Sequence, residues 1–473
     1  RTTPKFTSTS PDTQSRTDTK PVREKKLPAA PHRRWLPHLR LPKLDIAGRN
    51  KVRAEPQLYE DGIGDSVTKG RSEPSLLARR TTKKIVEPST RRPKPGKRAT
   101  RENQRTLDLN EGQDFELPVV AVGGSNGKTS TKEILATMLG QRLEMLSSEA
   151  SFNNDIGVPL TLLRLREAHE AAVLEVGSNH PGELEPLLQL IRPRYGVLTS
   201  IGREHLEFFG DIEGVIEEEG ALAEALPPEG CLFVNGDIEG LEAIRRRCRA
   251  TVVTVGEGEA CDWRIADIRS DDEGTTFKII SPKGDRNGAY CVNLLGHQNA
   301  RNAALAIALA AELGLSREEL DQGLQRCRPA SMRMEMQTLG GVRIINDAYN
   351  SNPDSLLAAL ETMESFSARG KRIAVLGDMA ELGQASESAH VEAGQLAAGL
   401  GLNGLIAVGR WADTTVRAAQ EAGLVNVAAF DDVTVAGQAL GKKLEPGDVV
   451  LIKGSRAAKM ERIIEALSET MNT

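Results

Sequence analysis

At 473 residues the chain is long enough for roughly two to four compact units with sizeable cores, and it contains no run approaching the ~20 apolar residues that cross a bilayer, so membrane insertion is not expected. Its five cysteines, Cys231, Cys248, Cys261, Cys291 and Cys327, are scattered without CxxC spacing, which argues against a disulfide framework or a zinc site and points to a reducing, cytoplasmic setting. The net charge of −5 conceals a split: residues 1–105 hold 27 Lys and Arg against 11 Asp and Glu, a net of +16, leaving 34 against 55, or −21, for residues 106–473.

Residues 1–114 combine many prolines, basic runs such as Arg91-Arg92-Pro93-Lys94-Pro95-Gly96-Lys97-Arg98, and three aromatics, Phe6, Trp35 and Tyr59. Such a segment cannot bury enough apolar surface to offset its conformational entropy, and disorder is the expectation for it. A tail for anionic surfaces or nucleic acid and an organellar transit segment share this composition and stay open. The repeated aromatic platforms of a single-strand binder are lacking, and no nucleic-acid partner is expected. The chain opens on Arg1 rather than methionine, which leaves its true start open.

After Phe115 the pattern changes. Pro118-Val119-Val120-Ala121-Val122 reads as a buried strand, followed by a glycine loop and a helical stretch, Thr129 to Leu139, with Ile134, Leu135, Met138 and Leu139 on one face. Ala171 to Val176 and Tyr195 to Ile201 read as further parallel strands. The expectation is an α/β chain with a central P-loop ATPase-like domain over residues 115–328. Beyond a hinge at Arg328 to Arg333, strands at Val342 to Ile345, Arg372 to Leu376, Gly404 to Val408 and Asp448 to Ile452 alternate with helical segments. They predict a smaller Rossmann-like domain over residues 329–473.

Gly123-Gly124-Ser125-Asn126-Gly127-Lys128-Thr129 stands between the first strand and its helix, where a phosphate loop belongs. Glycines let backbone N–H groups converge on phosphate oxygens, and the helix N-terminus adds its positive end. Lys128 supplies a point charge, the Thr129 hydroxyl is a magnesium ligand, and Ser130 continues the first turn. Glu175 and His205 each fall at or beyond the carboxyl end of a predicted parallel strand, the edge where open α/β sheets bind ligands. A carboxylate and an imidazole there suit Mg²⁺ beside a γ-phosphate, although an ion-paired glutamate and an ordinary loop histidine are the plainer alternatives.

The G-x-x-G-K-T loop resembles that of the Mur ligases, and the likeness extends from about Leu117 to the C-terminus. Six further segments carry it in order: Ser151 to Thr161, Leu174 to Glu183, His205 to Gly210, Asp347 to Ser355, Gly377 to Gly383 and Lys453 to Arg456. The resemblance is strongest to the members that add D-alanyl-D-alanine. It implies an ATP- and Mg²⁺-dependent, monomeric ligase acting on UDP-N-acetylmuramoyl-tripeptide and D-alanyl-D-alanine through an acyl phosphate. It further implies that Lys128, Glu175, His205 and Arg333 serve catalysis, and that Gly124, Ser125, Asn126, Gly127, Lys128, Thr129, Ser130, Asn299, Asn302, Arg333 and Asp347 bind nucleotide. Asn153, Asn154, Tyr349, Asn350 and Asn352 would meet the substrates, and Thr129, Glu175, His205 and Glu219 the metal. Asn350 and Asn352 read equally as turn formers before Pro353.

Two positions depart from the family pattern. Glu219 stands where members carry a lysine that is carbamylated, inside the run Glu217-Glu218-Glu219 that reads equally as a solvated acidic face. Gln298 stands where members carry an adenine-contacting histidine. The family's N-terminal sugar-nucleotide domain is not recognisable in residues 1–114. A non-catalytic nucleotide-binding core and an amide ligase with another acceptor therefore stay open.

Overall fold

A computed structural model describes residues 117–471, so the reading of residues 1–114 as a disordered basic segment lies outside the described residues. Two sheets organise the remainder. The first has nine strands: β1 (Val119–Gly123), β2 (Met145–Ser147), β3 (Ala171–Glu175), β4 (Tyr195–Leu198), β5 (Cys231–Asn235), β6 (Thr251–Gly256), β7 (Trp263–Ser270), β8 (Thr275–Ile280) and β9 (Gly288–Val292). Their order is β2-β3-β1-β4-β5-β6-β7-β8-β9, parallel as far as β7 and antiparallel beyond it. The chain leaves β1 toward β2 and β3 on one side and continues to β4 on the other. The carboxyl end of β1 is therefore a topological switch point, with a crevice ready for a ligand.

β1 and β3 are apolar without alternation because both faces are covered. One layer packs Ile134, Leu135 and Met138 of the helix Lys128–Leu139 with the helix His297–Glu312. The latter is an alanine-rich rod buried from Ala303 to Ala310, whose short side chains let it lie close to the sheet. The opposite layer gathers Leu174, Leu184, Leu188, Leu222 and Leu232, each burial stabilising by about 1.5–3 kcal/mol. In β8, Thr275, Phe277 and Ile279 face inward and Thr276, Lys278 and Ile280 outward, the period-2 pattern of a half-solvated antiparallel strand.

The second sheet contains β10 (Glu335–Leu339), β11 (Val342–Asp347), β12 (Arg372–Gly377), β13 (Gly404–Val408), β14 (Val427–Phe430) and β15 (Val449–Lys453), ordered β10-β11-β15-β12-β13-β14. Only β10 runs antiparallel among these strands. It joins β11 through Gly340-Gly341, with φ of 56° and 81°, the positive pair a tight two-residue hairpin demands. Apolar layers cover both faces of this sheet too. Residues 327–334, including the expected hinge, link the two sheets without helix or strand.

Candidate active site

The loop after β1 turns so sharply that side chains would not fit. A Cβ on Gly124 (φ 112°) would lie 2.5 Å from the Thr199 hydroxyl, and one on Gly127 (φ 89°) 2.5 Å from the Asn302 amide oxygen. Ser125 N–H donates to Ser200 O (2.9 Å) and Asn126 N–H to the Ser200 hydroxyl (2.7 Å), which ties the loop to the segment following β4. The helix Lys128–Leu139 starts at Gly127 without a side-chain cap. Its first-turn N–H groups have no intrahelical acceptor and point toward an incoming anion. Lys128 donates to the carbonyl oxygens of Gly124 and Ser125 and lies 3.7 Å from Glu204. Burial pulls its ammonium down, but Glu204, Glu219 and Glu175 outweigh that and hold it above the usual lysine value.

Glu175 ends β3 and is 1% exposed. Its Oε1 accepts from the Asn153 amide at 2.9 Å, whereas Oε2 is buried without a hydrogen-bond partner. An orphaned carboxylate oxygen of this kind calls for a cation. His205, in a left-handed backbone turn of φ 51°, has Nδ1 bonded to the Glu381 carboxylate. Burial holds the imidazole below its ordinary value against the pull of Glu381. Glu204, beside it, is pushed up to about 8 by burial, opposed by Lys128. Glu219 is buried under the loop, where Oε2 accepts from Gly124 N–H at 2.7 Å, so the solvated-face alternative does not hold. Burial raises its carboxyl above the usual range. Thr129, buried, has its hydroxyl 3.1 Å from that of Ser151. Among the described residues no three His, Cys, Asp or Glu side chains form a preassembled metal cluster, so Thr129, Glu175, His205 and Glu219 are not brought together as one ligand set.

The second sheet closes the crevice. The Arg333 guanidinium lies 4.2 Å from the Tyr349 ring centroid and 3.5 Å from the Ser151 hydroxyl. Asp347, at the end of β11, accepts from Lys453 (2.6 Å) and from Met334 N–H (3.1 Å). Asn352 caps the helix Pro353–Glu364 and also donates to Asn126 Oδ1 of the phosphate loop at 2.9 Å. Asn154 differs: its side-chain oxygen accepts from Gly157 N–H at 2.9 Å, shaping the loop. Asn302 donates to Asn299 at 3.1 Å, while Asn299 donates to Leu295 O at 2.8 Å. A cavity of about 600 Å³ is lined by Ser125–Lys128, Ser130, Asn153, Asn154, Glu175, His205, Asn299, Asn302, Arg333, Asp347, Tyr349, Asn350 and Asn352. Glu204 and Lys453 also line it, though the sequence reading had not singled them out as site residues. Lys453 opens a motif and Glu204 precedes a recognised histidine, but neither has a spacing that reveals burial.

A phosphate loop at a switch point, facing an arginine from the linker and an aspartate and a lysine from a second sheet, defines a nucleotide-dependent group-transfer enzyme working between two α/β layers. Residues 122–310 match the Mur ligase middle domain, and residues 332–456 match the Mur ligase glutamate ligase domain. The UDP-N-acetylmuramoyl-tripeptide–D-alanyl-D-alanine ligase of Bacillus subtilis is 35% identical over 360 residues, covering 76% of this chain and 77% of that protein. The Haemophilus influenzae counterpart is 32% identical over 357 residues, 74% and 76% of the two chains. A crystal structure of MurF from Acinetobacter baumannii, 30% identical, aligns with a TM-score of 0.70 over 76% of this chain and 78% of that one. The fold is also that of Thermotoga maritima MurF in complex with ADP, with a TM-score of 0.68 at 24% identity, over 78% and 84%. The chain belongs to the Mur ligase family, within it to the UDP-N-acetylmuramoyl-tripeptide–D-alanyl-D-alanine ligases.

Proposed function

We infer that this chain is an ATP-dependent ligase that joins D-alanyl-D-alanine to UDP-N-acetylmuramoyl-tripeptide in peptidoglycan precursor synthesis, acting in the cytoplasm. The observation that carries the reading is the single cavity in which the phosphate loop, Glu175 and the β11 edge converge. The triphosphate lies across Gly124 to Ser130 at the helix N-terminus, with Lys128 on the transferred phosphoryl group. Asn299 and Asn302 offer amides toward the base, and Arg333 from the linker and Asp347 from the second sheet reach the nucleotide. Glu175 fits magnesium because it presents a buried carboxylate oxygen without a partner, and His205 and Thr129 are the further candidate ligands. Mg²⁺ held there supplies charge neutralisation on the phosphate oxygens.

In the first step the tripeptide's terminal carboxylate oxygen bonds to the γ-phosphorus, the bond to the β-phosphate oxygen breaks, and ADP leaves an acyl phosphate. Lys128 and the first-turn amides stabilise charge on the moving group. Closure of the second sheet keeps water from that intermediate. The dipeptide amine then attacks the acyl carbon, a tetrahedral intermediate collapses, and phosphate departs. Tyr349, Asn350 and Asn352 stand on the acceptor's side. A neighbouring cavity of about 430 Å³, lined by Glu207, Asp378, Glu381 and Arg410 among others, offers carboxylates and one guanidinium to a zwitterionic dipeptide.

Two variants test the reading. Lys128→Ala and Glu175→Gln should each lose ~10²-fold or more in ATP-dependent pentapeptide formation while their circular dichroism stays that of wild type. A folded Lys128→Ala with undiminished ligation would remove the phosphate-loop assignment. A wild-type chain that binds ATP and forms no pentapeptide would favour a nucleotide-binding role instead.

A further inference from the structure

Lys132 lies one turn beyond the phosphate-loop lysine on the helix Lys128–Leu139 and is 0% exposed. A buried ammonium is costly unless its protons find acceptors. Those of Lys132 go to the carbonyl oxygens of Ser148 (2.8 Å) and Ala150 (2.9 Å) and to the Glu133 carboxylate. Both carbonyls belong to the segment that leaves β2 and turns at Ala150 with φ of 45°.

That segment touches the site at four points. The Ser148 hydroxyl accepts from Glu175 N–H at 3.0 Å, and Asn153 donates to Glu175 Oε1 at 2.9 Å. The Ser151 hydroxyl lies 3.1 Å from that of Thr129 and 3.5 Å from the Arg333 guanidinium. An apolar side chain could fill the Lys132 position as Leu135 and Met138 fill theirs, so what the lysine adds is directional bonding to one loop.

We propose that Lys132 is a positioning residue for ligation, whose ammonium fixes residues 148–153 so that Thr129, Glu175 and Arg333 converge on the nucleotide phosphates. Lys132 itself lines neither cavity and acts through the loop. The proposal deepens the ligase reading given above.

The test compares full-length wild type, Lys132→Met and Lys132→Gln with Met138→Ala, a core change on the same helix chosen to lower stability without touching the loop. Lys132→Met should reduce kcat and raise the apparent Mg²⁺ requirement by roughly 10–100-fold, the range for residues that orient metal ligands. Deuterium uptake over 148–153 should rise, and ADP affinity should fall more with Mg²⁺ present than without it. Met138→Ala should lower the melting temperature but keep wild-type kcat and Mg²⁺ dependence. If Lys132→Met slows turnover no more than Met138→Ala does, the lysine is only a core residue. Should Lys132→Met not fold, Lys132→Gln decides: unchanged kcat with unchanged exchange over 148–153 overturns the proposal. Failure of the ligase reading would show separately as no pentapeptide from wild type, with the exchange and Mg²⁺–ADP binding comparisons still reporting on Lys132.

Discussion

The acidic run at Glu217-Glu218-Glu219 separates into three environments once folded. Glu217 pairs with Arg247 at the surface, Glu218 accepts from the N–H groups of Gly182 (2.7 Å) and Leu184 (2.9 Å), and Glu219 accepts from Gly124 beneath the phosphate loop. Successive helical residues point about 100° apart, and which one faces the loop depends on packing against β1 and β4, which charge pattern does not encode. Glu219→Ala should leave the Gly124 amide unsatisfied and slow ligation by roughly 10–100-fold. Bicarbonate should change neither protein's rate, since a glutamate needs no carbamylation. Superimposable rate curves against Mg²⁺ for wild type and Glu219→Ala would remove any role for this residue. Glu204 gives a pH signature. Its folded value of about 8 lies above its ordinary 4.5, so its contribution to stability is full below 4.5 and is lost as pH rises through about 8. In EDTA, Glu204→Gln should match wild-type stability at the acid end and exceed it progressively toward pH 9. Parallel denaturation midpoints across that window would contradict the assignment.

Among elements, legibility follows burial only in part, since β5 is buried throughout and is not read from the sequence. β1, β3, β4, β11, β12, β13 and β15 were readable because doubly covered parallel strands are continuous apolar runs. The meander β7 to β9 alternates polar and apolar residues, β2 has three residues, and β14 is only half buried, so none stands out in the chain. Site residues at strand ends, such as Glu175 and Lys453, inherit the legibility of their strands, whereas Glu204 owes its place to tertiary packing. The helix Pro353–Glu364 illustrates an element doing two things. Asn352 caps it through Ser355 N–H at 2.8 Å and reaches the phosphate loop through Asn126. Asn352→Ala should cost about 1 kcal/mol through the cap alone. Asn352→Asp keeps the acceptor but loses the N–H donor to Asn126, so its melting temperature should stay near wild type while KM for ATP rises severalfold. Equal kinetics for Asp and Asn would confine this residue to capping.

At the scale of the molecule, charged pairs join the two sheets. Arg203, beyond β4, donates its N–H and Nε to Asp354 (2.7 and 2.9 Å) and its terminal nitrogens to Glu392 (2.8 and 3.1 Å), and its pKa is raised first of all by the bond to Glu392. Arg343 pairs with Asp272, Glu207 N–H donates to Glu381 O at 3.0 Å, and Leu206 and Leu295 give a small apolar contact. Arg203 and its carboxylates are each more than a third exposed, so salt screens them and each pair contributes about 0.2–1 kcal/mol. One guanidinium shared by two carboxylates belongs at the upper end of that range. A closed state favoured by so little should coexist with an open one, and bound nucleotide should draw the population toward closure. Spin labels at Leu163 and Val425, both exposed and one on each sheet's side, should report a single distance with ADP and Mg²⁺ once Cys248, Cys261 and Cys291, none of them buried, are replaced. Without nucleotide, Arg203→Met or about 0.5 M salt should add a longer population, and KM for ATP should rise severalfold with kcat nearly unchanged, because ligand binding must then supply the closing energy. A distance distribution indifferent to both salt and substitution would show that closure is held elsewhere.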